Sequence, residues 1–455
     1  MSEYPVKFAF SALCMGFFMV ILDVTIVNVA LPTIADYFHT TLSGLQWIVD
    51  GYTLAFAGLL LLVGGICDYF NAKKVFQIGL IAFGLTSLGC ALSPSIAWLI
   101  FFRLLQGAAG ALLLPSSLAL ITHLYSEAHD RARAIGIWAA LGGVACASGP
   151  FLGGLLTSLF SWRVIFFINL LIGLISLLFI YLYLVNVKAA NPDRKKFDFL
   201  GQISGFLFIF LLSYGLIEVG VHGWHNLIII FCFIFSGLSL MFFLWIESRV
   251  SNQMLPLSLF RDRITAMALL AAMILNLSFY GELFMIPFYF QNLRHYSVFM
   301  TGLAILPLPG LALMGSYLSG RLIANWGSTK IIMIGFIIAA IGFFSLLTLE
   351  PNSPHYIWIM LPFLVIGFGV SFATPAMTFA AIHSVKQHHA GIAAAVLNTV
   401  SQVGSLIGVA VFGAIAALSK DFIAAMHITL FWAGIMFLMT AFLHFPCLSP
   451  GVGPG

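Results

Sequence analysis

Charge is what this sequence lacks. Its 19 basic and 15 acidic residues make a charged fraction of 7% in 455 residues, against roughly 25% in an ordinary soluble domain. A soluble protein of this size cannot cover its surface with so few charges. Disorder is excluded by the opposite excess: 62% of the residues are hydrophobic and the mean hydropathy is +1.09. The net charge of +4 is spread thinly, and without a dense basic stripe nucleic acid is excluded as a partner. Cysteine is sparse as well. Cys14, Cys67, Cys90, Cys146, Cys232 and Cys447 stand singly, with neither metal-ligand spacing nor a disulfide framework. They read as small apolar filler, and no metal or cofactor is expected. Alternation of apolar and polar residues is absent too, which excludes a membrane barrel.

What the chain has instead is long apolar runs. Allowing roughly 20 residues for a spanning helix, they divide into spans at 8–35, 45–67, 75–93, 97–123, 133–157, 163–186, 200–219, 226–247, 264–290, 299–324, 331–349, 356–382, 390–417 and 423–445. The run from Phe8 to Ala35 is too long for the core of a cleavable signal peptide and is interrupted by Asp23, so it is the first span. The expected fold is an all-α integral membrane protein of 14 transmembrane helices.

The basic residues fix its orientation. With the N-terminus in the cytoplasm, 15 of the 19 Lys and Arg residues fall in inside loops and 3 outside, with Arg103 left within a span. This is the asymmetry of the positive-inside rule, and miscounting one span would scramble it. Both termini are therefore expected in the cytoplasm. Polar loops at 187–199 and 248–263 set two spans apart from the rest. The chain parses as a six-helix bundle (1–186), linkers with two inserted helices (187–263), a second six-helix bundle (264–445) and a disordered tail (446–455).

An ionisable group inside a span is costly and marks function by default. Asp23, Asp50, Arg103 and Glu282 are such groups, with Glu218 near an outer end. Asp23 suits either proton or substrate binding, or a hydrogen-bonded carboxylate that fixes helix packing. Arg103 cannot neutralise itself and must face protein or water. A carboxylate beside it would feel opposed effects of charge and desolvation, which suits loading and releasing a proton, although a clamp to backbone carbonyls would also explain it. Asp50 fits a proton site or a residue wetted at the interface. We assign Asp23, Arg103 and Asp50 to proton coupling. Glu282 has no charge within a helical turn, so any partner comes from another helix. With Asn28, Gln106, Asn398 and Gln402 it is assigned to a substrate cavity.

One span carries Gly142-Gly143, Gly149-Pro150 and Gly153-Gly154. Small residues allow close helix approach, and Pro150 can kink the helix. Gly64 to Lys74 forms a tight cytoplasmic turn. Asn71 there can take the left-handed conformation, and Asp68, Lys73 and Lys74 can latch onto neighbouring helix ends through charge and helix dipole.

These residues together resemble the major facilitator superfamily, specifically its fourteen-helix drug:proton antiporters. Leu22-Asp23-Val24-Thr25-Ile26-Val27-Asn28-Val29-Ala30-Leu31-Pro32 is similar to that branch's helix-1 motif. Gly64 to Lys74 resembles the loop pattern G-x-L-x-D-R-x-G-R, with Tyr69, Asn71 and Ala72 departing from it. Arg103-x-x-Gln106-Gly107 resembles the helix-4 motif associated with proton coupling. Gly149-Pro150-x-x-Gly153-Gly154 resembles the helix-5 antiporter motif. Trp162 to Asn169 resembles the start of helix 6. The second-half loop, Gly320 to Gly327, has Ala324 where an acid is usual.

The resemblance implies alternating access of two six-helix bundles around a midplane site, with a proton from outside loading Asp23, Asp50 or Glu282, and a carrier with no enzymatic chemistry. The expected function is proton-coupled export of small amphipathic compounds. Export of one dedicated metabolite is the alternative, and a non-transporting sensor is disfavoured by the short loops. The expected partners are the substrate, protons and lipid. The chain is expected to be a monomer in a bacterial inner membrane.

Overall fold

The structure, a computed structural model, describes residues 3–69, 71–184, 198–250, 253, 255, 257–350, 355–385 and 390–445. Most of the expected loop at 187–199 and the whole tail 446–455 lie outside the described residues. The helices are α1 (Glu3–Phe38), α2 (Leu42–Tyr69), α3 (Ala72–Ala91), α4 (Ile96–Leu124), α5 (Ala128–Leu159), α6 (Val164–Tyr183), α7 (Phe199–His222), α8 (Leu227–Glu247), α9 (Arg263–Phe288), α10 (Val298–Ile305), α11 (Pro307–Gly310), α12 (Ala312–Trp326), α13 (Ser328–Ser345), α14 (Ile357–His383), α15 (Ala390–Leu418) and α16 (Phe422–His444). No strand occurs among the described residues.

Among the described residues, thirteen segments are long and apolar enough to cross a membrane, counting α10–α12 as one. Helix α2, with 28 residues, is a further long helix in the expected place. The all-helical spanning architecture read from the apolar runs is thus the one observed. Lipid offers no hydrogen-bond partners, so a spanning chain satisfies its backbone internally as helix.

Local chemistry starts several helices. Asn71, Asp198, Asn226, Asp262 and Asp421 each precede a helix and accept a backbone N–H from its first turn. Asn71 corrects an expectation. Its φ is −59°, not left-handed, because its side chain is used as the cap on Lys73 N at 2.9 Å. The corresponding second-half loop keeps its glycine: Gly327 joins α12 to α13 at φ +77°, where a Cβ would be strained. The expected span at 299–324 is broken at Leu306 and Leu311. Pro307 and Pro309 explain this, since each removes a backbone donor. Helix α5, by contrast, is continuous through Pro150.

The chain forms two compact units. Unit 1 comprises Met1–Met254 with Phe290–Leu303, and unit 2 comprises Leu255–Tyr289 with Ala304–Gly455. The inserted pair α7–α8 therefore belongs with the first unit. Within unit 1, α7 docks on α2. Glu218 accepts from Ser43 Oγ at 3.0 Å and from Trp47 Nε1 at 2.9 Å, and Gln202 Nε2 donates to the Gly58 carbonyl. In unit 2, α9 packs against α14, α15 and α16.

Candidate functional site

The polar centre of unit 1 is built on four helices. Asp23 lies on α1, Arg103 and Gln106 on α4, Ser87 on α3 and Asn169 on α6, all essentially without solvent exposure. The Arg103 guanidinium pairs with the Asp23 carboxylate through Nη1 and Oδ2. Gln106 Nε2 donates to Asp23 Oδ1 at 3.0 Å, and Asn169 Nδ2 donates to the same oxygen at 2.6 Å. Arg103 also donates to Gln106 Oε1 at 2.8 Å and, from Nε, to the Ile48 carbonyl at 3.0 Å. Gln106 Nε2 reaches Ser87 Oγ at 2.7 Å. The Tyr52 ring covers the guanidinium, 4.4 Å from Cζ to centroid, a cation–π contact that strengthens when desolvated.

The local sequence makes this possible. Arg103 and Gln106 are three residues apart and share one face of α4. Gly107 lets α4 approach α2, because a methyl there would meet the Tyr52 carbonyl. That approach brings Arg103 to the backbone of α2. Both sequence readings of Arg103 are realised at once, as charge partner of Asp23 and as clamp on a carbonyl. Asp23 likewise is a fully hydrogen-bonded carboxylate.

The remaining expected residues divide differently. Gln106, assigned from sequence to a substrate cavity, sits in the Asp23 cluster instead, because its amide both donates to Asp23 and accepts from Arg103. Asn28 is buried and turns back onto its own helix, donating to the Val24 carbonyl at 3.0 Å. Asp50 is fully buried on α2, so the reading as a wetted interfacial residue does not hold. Neither of its oxygens has a hydrogen-bond partner among the described residues. In unit 2, Glu282 on α9 is 3% exposed, and neither of its oxygens has a hydrogen-bond partner among the described residues. On α15, Asn398 is exposed and Gln402 is half-buried.

The glycine motif of α5 packs as its composition suggests. A methyl at Gly149 would meet Thr25, and one at Gly153 would meet the Ile26 carbonyl, both on α1 next to Asp23. Gly154 and Pro150 adjoin the segment 298–302 of the same unit. Gly143 has nothing within 4 Å. At the α2–α3 turn, Lys73 is buried and its ammonium donates to the carbonyl of Leu184, which ends α6. This is the expected latch onto a helix C-terminus, where a cation is favoured. Lys74 is exposed, and the surroundings of Gly64 and the side chain of Asp68 lie outside what is described.

Sequence reasoning missed Asn169 as a ligand of Asp23, along with Ser87 and Tyr52. Asn169 did carry a signal, being an amide in the apolar run Val164–Tyr183. Its distance from Asp23 in the chain concealed the pairing.

Comparisons with known proteins agree with this architecture. The sequence model of the Major Facilitator Superfamily matches residues 13–409. The methylenomycin A resistance protein of Bacillus subtilis (strain 168) is 35% identical over 428 residues, covering 94% of this chain and 90% of the relative. The multidrug resistance protein Stp of Mycobacterium tuberculosis (strain CDC 1551 / Oshkosh) is 34% identical over 89% of this chain and 74% of its own length. Among solved structures, a bacterial homolog of the human lysosomal transporter Spinster superposes with a TM-score of 0.70 at 16% identity, covering 100% of both chains. The chain belongs to the Major Facilitator Superfamily.

Proposed function

From this membership, we propose that the protein is a proton-coupled antiporter that exports small amphipathic compounds by alternating access. The observation that carries the reading is the buried Asp23–Arg103 pair held by Gln106 and Asn169. A carboxylate that can lose its pairing to a fixed cation can exchange that pairing for a proton. A guanidinium remains charged throughout. Protonating Asp23 would free Arg103 and alter α1–α4 packing, and α1 is also the helix against which Gly149 and Gly153 lie. A charge change at Asp23 thus reaches the close-packed α1–α5 seam directly. Asp50, buried and unpartnered on α2, is the second proposed proton group of this unit.

Export is supported by relatives named for resistance to methylenomycin A, tetracenomycin C and puromycin. Asn398 and Gln402 on α15 are the proposed substrate contacts. The distribution of basic residues supports a bacterial cytoplasmic membrane with both termini in the cytoplasm, and we propose a monomer. The domain reading that goes with this is two six-helix bundles with α7–α8 as an addition to the first.

The test uses everted membrane vesicles with an imposed pH gradient, inside acid. Adding puromycin should dissipate the gradient with the wild-type protein, and Asp23→Asn and Arg103→Ala should abolish that response at equal expression. If both variants respond like wild type, the assigned coupling is wrong. The naming of relatives for single antibiotics favours one further reading, a dedicated exporter of one metabolite. It predicts a response to one compound and none to structurally unrelated ones.

A further inference from the structure

Unit 2 contains a second acid that the proton reading above does not use. Glu282 lies in the middle of α9, 3% exposed, with neither oxygen hydrogen-bonded among the described residues. Four residues earlier on the same helix is Ser278, fully buried, whose hydroxyl is also without a partner. Positions four apart share a helix face, so the two orphaned groups form one stripe. The neighbouring face of α9 is occupied by packing: a methyl at Gly281 would meet the Gly408 carbonyl and the Phe412 ring of α15.

No cation at mid-helix is found on the unit 2 helices packed against α9, among the described residues. Among the described residues α15 carries no titratable side chain, and α14 carries only His383, at its C-terminal end. Helix α16 has His427 and His444, which lie near its two ends and contact the Leu349 and Thr440 carbonyls. On α9 itself Arg263 is at the first residue, and Tyr280 points from a different face of the helix. The helices packed against α9 in unit 2, α14–α16, thus place no charged side chain near their middles among the described residues.

An ionised carboxylate buried with neither counter-charge nor hydrogen bond is among the costliest arrangements in a membrane protein. A neutral acid in the same place costs far less, and so does an ionised one that has moved to water. A group with only those two affordable states changes its proton when it changes its surroundings. At 3% exposure the carboxyl offers a bound compound almost no surface, whereas a proton needs none.

We propose that Glu282, with Ser278 beside it, is a further proton-binding site, inside unit 2 and separate from Asp23–Arg103 and Asp50. It holds a proton in the state described here and gives it up when α9 is rearranged to expose it. The inference rests on the proton-coupled reading for its purpose, and its test does not.

The experiment is infrared difference spectroscopy of the purified full-length protein in lipid nanodiscs, titrated from acid to alkaline pH. Wild type should show a carboxylic-acid carbonyl band that disappears at alkaline pH. Glu282→Gln should lack that band and bind one proton fewer over the titration. Glu282→Asp should restore a shifted band, and Asp23→Asn and Asp50→Asn should leave the Glu282 band in place. An unchanged spectrum in Glu282→Gln overturns the proposal, because the residue is then ionised throughout. A band that is lost in Glu282→Gln but never titrates in wild type overturns it too, because the acid is then permanently neutral. If the band titrates while puromycin fails to dissipate the pH gradient, the coupling reading falls and this site stands.

Discussion

Asp23 in unit 1 receives hydrogen bonds from three side chains, whereas Glu282 in unit 2 receives none among the described residues. Both are acids buried in spanning helices, and both are essentially inaccessible. The difference lies in their surroundings. Around Asp23, a cation, two amides and an aromatic face were assembled from α2, α4 and α6. Around Glu282 there are Ser278 and apolar packing. A paired charge can stay ionised in a low-dielectric interior, while an unpaired one is stable there only when neutral. Each substitution below either breaks the support of the first or checks the lack of support of the second.

The largest effect is expected from Arg103→Ala. It leaves Asp23 buried without its cation, a loss of about 3–5 kcal/mol for removing one partner of a buried pair. Thermal unfolding followed by tryptophan fluorescence should show this as a lowered midpoint. The double variant Asp23→Leu, Arg103→Leu should recover most of that loss, since an apolar replacement of a whole buried pair is often neutral. A double variant as unstable as Arg103→Ala would show that shape, not charge, is what the cluster supplies.

Next comes the seam beside Asp23. Gly153→Ala places a methyl against the Ile26 carbonyl, and overpacking of a close contact costs about 1–3 kcal/mol. Gly143→Ala adds the same methyl ten residues earlier, where nothing lies within 4 Å. Yield of folded protein after detergent extraction should fall for the first and hold for the second. Equal yields would mean that the α1–α5 contact is slack.

A similar loss is expected from Asn169→Ala. It removes the 2.6 Å donor to Asp23 and leaves a carboxylate oxygen with one donor fewer, at about 1–3 kcal/mol. Its value is as a probe of how evenly the three donors share the load. If Asn169→Ala unfolds at the wild-type midpoint, Arg103 and Gln106 alone suffice to hold Asp23, and the contrast with Glu282 rests on the cation.

Much of this contrast was legible in the chain, and the rest was hidden for a physical reason. Apolar runs gave the spans because lipid tolerates little else. Scarcity of charge singled out Asp23, Arg103, Asp50 and Glu282, since each charged group in a span must be explained. Spacing gave Arg103 and Gln106 one face. It did not give Asn169, which meets Asp23 from a helix 146 positions away, and it did not show that Gln106 joins the Asp23 cluster or that Asn28 turns back onto the Val24 carbonyl. A side chain's partners across helices depend on how the helices rotate against each other, which hydropathy leaves open. The breaks at Leu306 and Leu311 were signalled by Pro307 and Pro309 but were masked by an otherwise continuous apolar run.

The smallest effect is expected where support is absent. In Glu282→Gln the side chain keeps its size and loses only the ability to ionise. If the native acid is neutral, the substitution removes no charge interaction and no hydrogen bond, because none is there among the described residues. The unfolding midpoint should then stay within the range of about 0.5 kcal/mol typical of substitutions that touch no special feature. The same midpoint should fall less with rising pH than in wild type, where an acid that keeps its proton in the fold while the unfolded chain ionises loses stability as pH rises through and above the ordinary carboxylate range. The amide has nothing to lose. A Glu282→Gln protein destabilised as far as Arg103→Ala would mean that Glu282 is an ionised, supported acid after all, and the contrast between the two units would collapse.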